Sequence, residues 1–188
     1  MAVFTGTSGN DRFVGSQQDD QFTSGGGIDI IEGGGGHDTL TIDYSSLSVG
    51  RGGRGQVNAI TWTGTAFQGT VGLQGWQNTV GFSNIDDLGV VFGQGNDLLS
   101  LSLSGVPGSG HLRLDGGEGN DTLVVNAGGS DLALDIRTGN ASNWLDASGF
   151  EYVEVNLGNG RNTVVTGDSQ DIIYGGTGTN VIDSGAGD

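Results

Sequence analysis

The sequence predicts an all-β chain wound as a parallel β-roll, a β-solenoid of short strands joined by glycine-rich turns. Three observations carry that prediction. Four nine-residue units run head to tail from Gly6 to Thr41, and Asp11, Asp20, Asp29 and Asp38 stand nine residues apart. An apolar residue follows each Asp by two: Phe13, Phe22, Ile31 and Leu40. The chain holds 40 glycines against one proline and shows no long 3.6-residue apolar period, which argues against helices. So much glycine also fits a disordered chain, but not in so regular a register.

The unit they share is G-G-x-G-x-D-x-U-x, with U apolar. Its first six residues suit a turn. Its last three suit a short strand whose U side chain points inward. Glycine is needed because so tight a turn takes backbone angles that a Cβ forbids, and because backbone carbonyls must aim at a cation. The many glycines cost conformational entropy, and a dication bound only by the folded turns offsets that cost. Two units make a coil of 18 residues, so Asp11 stacks on Asp29 and Asp20 on Asp38, at roughly the 4.8 Å strand spacing. A hard cation between such turns takes one carboxylate from each and fills its shell of about six to eight oxygens with turn carbonyls. The second unit is the poorest, because Gln17 and Gln18 replace its small residue and glycine.

This pattern resembles the RTX (repeats-in-toxin, haemolysin-type calcium-binding) family. The resemblance implies a right-handed β-roll with Ca2+ in its turns. Matched onto this chain, the expected metal residues of the first block are Asp11, Asp29, Asp20 and Asp38, with Gly6, Gly9, Gly25, Gly27, Gly34 and Gly36.

From Thr41 to Val91 the strict repeat stops, while Asn58–Thr63 and Thr79–Phe82 still alternate as strands and 51–55 reads as a loop. We read 42–91 as inserted or widened coils, with a small flap. Trp62, Phe67 and Trp76 gather here; closing a core is the preferred reading over a platform for sugars. The motif returns at Phe92–Ser100 and in full at Gly116–Val124. One intervening turn places Asp97 and Asp121 on the same side, a third expected pair with Gly93, Gly95, Gly117 and Gly119. Longer strands across 92–156 imply a wider coil. Ser148–Val153 echoes Phe82–Leu88, and both look like the strand that leads back into a repeat block in RTX-type proteins.

A last block, 157–188, resumes the nine-residue register with Asn162, Asp171 and Asn180 at the ligand position. Asn keeps an oxygen but no charge, so an Asn162/Asn180 site is expected to be weak or empty. Asp171 expects a partner 18 residues on, just past Asp188, and Val3-Phe4-Thr5 reads as the strand of an earlier unit. Open strand edges template pairing, so the reading expects one solenoid over 1–188 whose ends associate in calcium or meet adjoining repeats. The expected core holds Phe13, Phe22, Ile31, Leu40, Leu99, Leu123, Val164, Ile173 and Ile182.

Composition excludes several partners. The chain carries 22 acids, six Arg and no Lys, for a net charge of -16, so nucleic acid and acidic membranes lack the basic footprint they need. Only four of the acids are Glu, and the excess of Asp favours turns and ligands. There is no Cys, no apolar run long enough for a bilayer, and no signal-peptide pattern in the first ten residues. Nothing marks a glycan partner. Catalysis is not expected: His37 takes a variable position beside Asp38 with its side chain toward solvent, His111 opens a strand, no G-x-S-x-G elbow exists, and the neighbours Asp19-Asp20 and Asp86-Asp87 face opposite sides of a strand. The sequence therefore reads as a non-catalytic, calcium-binding structural or adhesive module, secreted or at a bacterial cell surface. The alternative is an accessory module of a secreted protease, lipase or alginate epimerase. The family resemblance also implies type I secretion.

Overall fold

The computed structural model describes residues 1–46, 57–72, 78–105, 109–129, 131–136 and 144–186, and every regular element among them is a strand. In chain order these are β1 (Val3–Thr5), β2 (Arg12–Val14), β3 (Gln21–Thr23), β4 (Gly27–Glu32), β5 (Thr39–Asp43), β6 (Val57–Trp62), β7 (Phe67–Gly72), β8 (Asn78–Ile85) and β9 (Asp87–Val91). There follow β10 (Leu98–Leu103), β11 (His111–Asp115), β12 (Thr122–Asn126), β13 (Ala133–Asp135), β14 (Leu145–Ser148), β15 (Tyr152–Asn156), β16 (Arg161–Val165), β17 (Gln170–Tyr174) and β18 (Thr179–Asp183). No helix among the described residues is long and apolar enough to cross a membrane.

Successive strands fall in different sheets, except β6, β7 and β8, which share one. A six-stranded sheet runs β1-β3-β5-β9-β11-β14, a nine-stranded sheet runs β17-β15-β12-β10-β6-β7-β8-β4-β2, and β13-β16-β18 form a third. The first four short strands pair at a register of 18, as in Val3↔Gln21 and Arg12↔Ile30. Further along, the register widens: Leu98 pairs with Thr122, and Thr122 with Tyr152.

Registered strands bring the U positions into columns. Phe22, Leu40, Leu88, Leu112 and Leu145 follow one another through the six-stranded sheet, each 2% exposed or less. Phe4 stacks on Phe22 at 4.9 Å between ring centroids. Leu99, Leu123 and Val153 form an equivalent buried column in the nine-stranded sheet. Burial of a side chain of this size contributes about 1.5–3 kcal/mol, so these columns supply most of the cohesion that needs no ion. Three expected core residues depart from the pattern. Phe13 and Ile173 are only partly buried against the core, and Ile182, on the outermost strand of its sheet, is 44% exposed.

The parallel expectation also needs correction. β6 and β7 pair antiparallel, as do β7 and β8, inside an otherwise parallel sheet. Four residues link β6 to β7, and a connection that short joins only antiparallel neighbours. Thr63 N–H donates to the Ala66 carbonyl at 3.0 Å to close it. Trp62 and Phe67 flank this turn edge to face, 4.8 Å apart and buried, so they close a core. Trp76 and the 51–55 loop lie outside the described residues.

Candidate metal centres in the stacked turns

Register places the ligand-position residues over one another. Arg12↔Ile30 sets Asp11 against Asp29, Gln21↔Thr39 sets Asp20 against Asp38, and Leu98↔Thr122 sets Asp97 against Asp121. Asp and U are two residues apart, so both point to the same, inner face. Asp20, Asp29, Asp38 and Asp121 are buried, and Asp11 and Asp97 half-buried.

Side chains stitch each corner in two directions. The N–H of the first Asp donates to the carboxylate of the second: Asp11 to Asp29 at 3.0 Å, Asp20 to Asp38 at 2.9 Å, and Asp97 to Asp121 at 2.7 Å. One residue earlier the direction reverses. Ile28 donates to the Asn10 side chain at 2.9 Å, His37 to Asp19 at 2.9 Å, and Asn120 to Asn96 at 3.1 Å.

Between these stitches the glycines let the turns nest. Gly25 lies over Gly6, Gly27 over Gly9, Gly117 over Gly93 and Gly119 over Gly95, while Gly34 and Gly36 lie over Ser16 and Gln18. A Cβ on Gly25 would run into the Thr7 carbonyl oxygen, so no other residue fits there. Gly36 adds a second demand, since its φ of 110° is left-handed.

The two members of a pair are not equivalent. Asp11 accepts from the Thr7 N–H at 2.6 Å and from its hydroxyl at 2.9 Å. Asp20 does the same with Ser16, at 2.7 and 2.8 Å. The Ser16 and Ala2 N–H groups hold the Asp20 carboxyl below its usual pKa. In Asp29, Asp38 and Asp121 the residue four before is Gly25, Gly34 or Gly117, which has no hydroxyl to give. Their Oδ2 atoms are buried without a hydrogen-bond partner. Burial pushes the carboxyls of Asp29, Asp38 and Asp97 up, and that of Asp121 to about 6.

A buried, unpaired carboxylate oxygen is costly unless a positive charge meets it. These residues fit a hard divalent cation. Asp11 with Asp29, Asp20 with Asp38, and Asp97 with Asp121 would hold it, together with main-chain oxygens of the glycine turns. Bound calcium supplies the positive charge that the stacked carboxylates lack. No cluster of three or more His, Asp or Glu side chains closes on one point among the described residues, so each site rests on carboxylate pairs and backbone.

The last block is built differently. Asn162 and Asn180 do stack, and Asn162 Nδ2 donates to Asn180 Oδ1 at 2.7 Å. Asn162 Oδ1 accepts from the Leu132 N–H at 3.0 Å, and Asn180 Nδ2 donates to the Gly175 carbonyl. An amide proton bridges the rung here. Asp171 is not over a ligand position: it pairs with Val153, in the U column, and both its carboxylate oxygens are buried and unpartnered. The reason is strand length. Coils of the middle region carry an extra inward residue, so the shorter turn meets them one apolar position late. The same offset sets Asp29 against Val80 on β8.

Two residues at ligand positions were not foreseen. Asp86 continues the column of Asp38, and Glu151 that of Asp121. The sequence signal was the echo between Phe82–Leu88 and Ser148–Val153. His37 is exposed, and its Nε2 pairs with Asp87 Oδ2 at 2.8 Å, a hydrogen bond that raises its pKa.

Parallel coils, nested glycine turns and stacked inward carboxylates together define a β-rich repeat protein built around a hard cation. The RTX calcium-binding nonapeptide repeat matches the chain in four copies, over residues 5–40, 113–131 and 157–188, so the chain carries repeats of that family. No characterised protein and no solved structure matches it.

Proposed function

We propose that this calcium-binding module is a non-catalytic structural or adhesive element that folds on meeting calcium outside the cell. The observation that carries the reading is the set of buried Oδ2 atoms of Asp29, Asp38 and Asp121, unpartnered in a chain of net charge -16. Without cations the stacked turns repel one another. With them, each corner gains cohesion that its glycines cannot supply. Extracellular modules of this chemistry bind at about 10⁻⁴–10⁻³ M, which keeps a chain loose where calcium is scarce and folds it where calcium is abundant. The exposed Val3 of β1 and Val181 and Ile182 of β18 lie on outermost strands, and support end-to-end association with further coils or further copies. Circular dichroism through a calcium titration tests the reading: the β signal should rise with a midpoint in that range. A full β spectrum in excess chelator would refute it.

A further inference from the structure

We propose that Asp86 and Glu151, which belong to no nonapeptide, are calcium ligands: each completes a cation site with the buried carboxylate of Asp38 or Asp121 in the adjoining coil. The inference rests on the reading that the stacked turns bind calcium.

The two residues occupy the same small construction, made twice. In Ser83-Asn84-Ile85-Asp86 and Ser148-Gly149-Phe150-Glu151, the Ser carbonyl accepts from the first glycine of the neighbouring turn: Gly33 at 3.0 Å and Gly116 at 2.9 Å. The next residue is left-handed, with φ of 54° at Asn84 and 70° at Gly149. The third is apolar and buried. The fourth is the acid, which accepts the Asp38 N–H at 2.9 Å or the Asp121 N–H at 2.8 Å. Its own N–H and the next one both donate to the carbonyl of that same Asp. A glycine turn is thereby matched with a shorter turn of unrelated sequence.

What this construction leaves open is an oxygen. Asp38 is 1% exposed and Asp121 fully buried, and the Oδ2 of each lacks a partner. Asp38 spends Oδ1 on the Asp20 N–H, in the preceding coil. Its Oδ2 lies 2.7 Å from where a Cβ on Gly33 would stand, and the carbonyl oxygen of Asn84 lies nearer still to that point. A carboxylate oxygen and a main-chain oxygen of two adjoining coils therefore converge beside Gly33. At Gly116 the Gly149 carbonyl oxygen takes the same place.

The choice of an acid is the second argument. A turn that only had to accept an N–H could use neutral Asn or Gln. Both copies instead set a carboxylate against another buried carboxylate, once as Asp and once as Glu. Like charges so placed destabilise the fold unless a cation lies with them. All-oxygen ligands of mixed carboxylate and carbonyl type suit calcium, since magnesium sheds its water reluctantly.

The test uses the full chain with Asp86→Asn and Glu151→Gln, which keep the acceptor and remove the charge, and Asp87→Asn as a control. Equilibrium dialysis should show one calcium fewer per chain for each of the first two, with a folding midpoint raised several-fold, and no change for the control. Wild-type stoichiometry and midpoint in both variants would overturn the proposal, and leave these acids as hydrogen-bond acceptors. Terbium soaked into crystals of the unaltered chain gives a readout independent of variant folding. Anomalous density is expected at Asp38/Asp86 and Asp121/Glu151; density at Asp11/Asp29 with none at these two refutes it. If the unaltered chain takes up no calcium at all, the underlying reading fails instead.

Discussion

The first and last repeat blocks share a nine-residue register yet close their seams with different chemistry. In the first, Asp20 and Asp38 stack as two carboxylates, and one oxygen of Asp38 is buried without a partner. In the last, Asn162 and Asn180 stack as two amides, and one donates to the other. The backbone path is alike; the charge is not. A carboxylate rung is incomplete until a cation arrives, whereas an amide rung carries its own proton. On the proposed reading, calcium dependence belongs to individual corners, not to the coil as such.

Asp29→Ala should break this contrast most visibly. It removes a buried carboxylate and the acceptor of the Asp11 N–H, so the calcium midpoint of folding should rise on the order of tenfold, about 1.4 kcal/mol. An unchanged midpoint in a dichroism titration would mean that the Asp11/Asp29 corner holds no ion.

Acid should sharpen it. The carboxyls of Asp29, Asp38, Asp97 and Asp121 all sit above their ordinary values, the last at about 6. The folded state therefore binds protons more tightly than the unfolded one. Stability of the calcium-free chain is gained as pH falls through about 6 towards 4, and is lost again as pH rises. In chelator, the β signal should be larger at pH 4.5 than at pH 7.5. The Asn rung has no part in this, so hydrogen exchange should locate the gain in 6–41 and 92–126 and not at the amides beside Asn162 and Asn180.

Asn180→Ala is expected to have the smallest effect. It leaves the buried Asn162 amide short of one acceptor, which costs about 1 kcal/mol of thermal stability. The calcium midpoint should stay put. A midpoint shift equal to that of Asp29→Ala would show that the two seams do not differ.

The stacked pairs were legible because the spacing of Asp11, Asp20, Asp29 and Asp38 encodes both the turn and the coil length. Asp97 and Asp121 were legible from the glycines around them, even at a coil of 24 residues. Asp86 and Glu151 were harder to read. No glycine turn precedes them, and they stand 48 and 30 residues from their partners. The neighbour of Asp171 in the preceding coil was not legible, because the nonapeptide spacing alone does not show that Val153 belongs to a longer strand. The antiparallel course of β6 to β8 was illegible for a simpler reason. Alternation tells which face a residue takes and nothing about the direction of its strand.

That hairpin bears on how such a fold can change its size. Partners across the seams are 18 residues apart in Arg12↔Ile30, 30 in Thr122↔Tyr152 and 48 in Thr39↔Asp87. The corners align all the same. Loop closure grows only logarithmically with length, by about 0.6 kcal/mol per doubling, so the longer excursion weighs little on the seam it interrupts. The coil is thus a unit of alignment rather than of length. New segments can be spliced between two corners without disturbing either, and a lineage of such chains is free to vary its outline while keeping its joints.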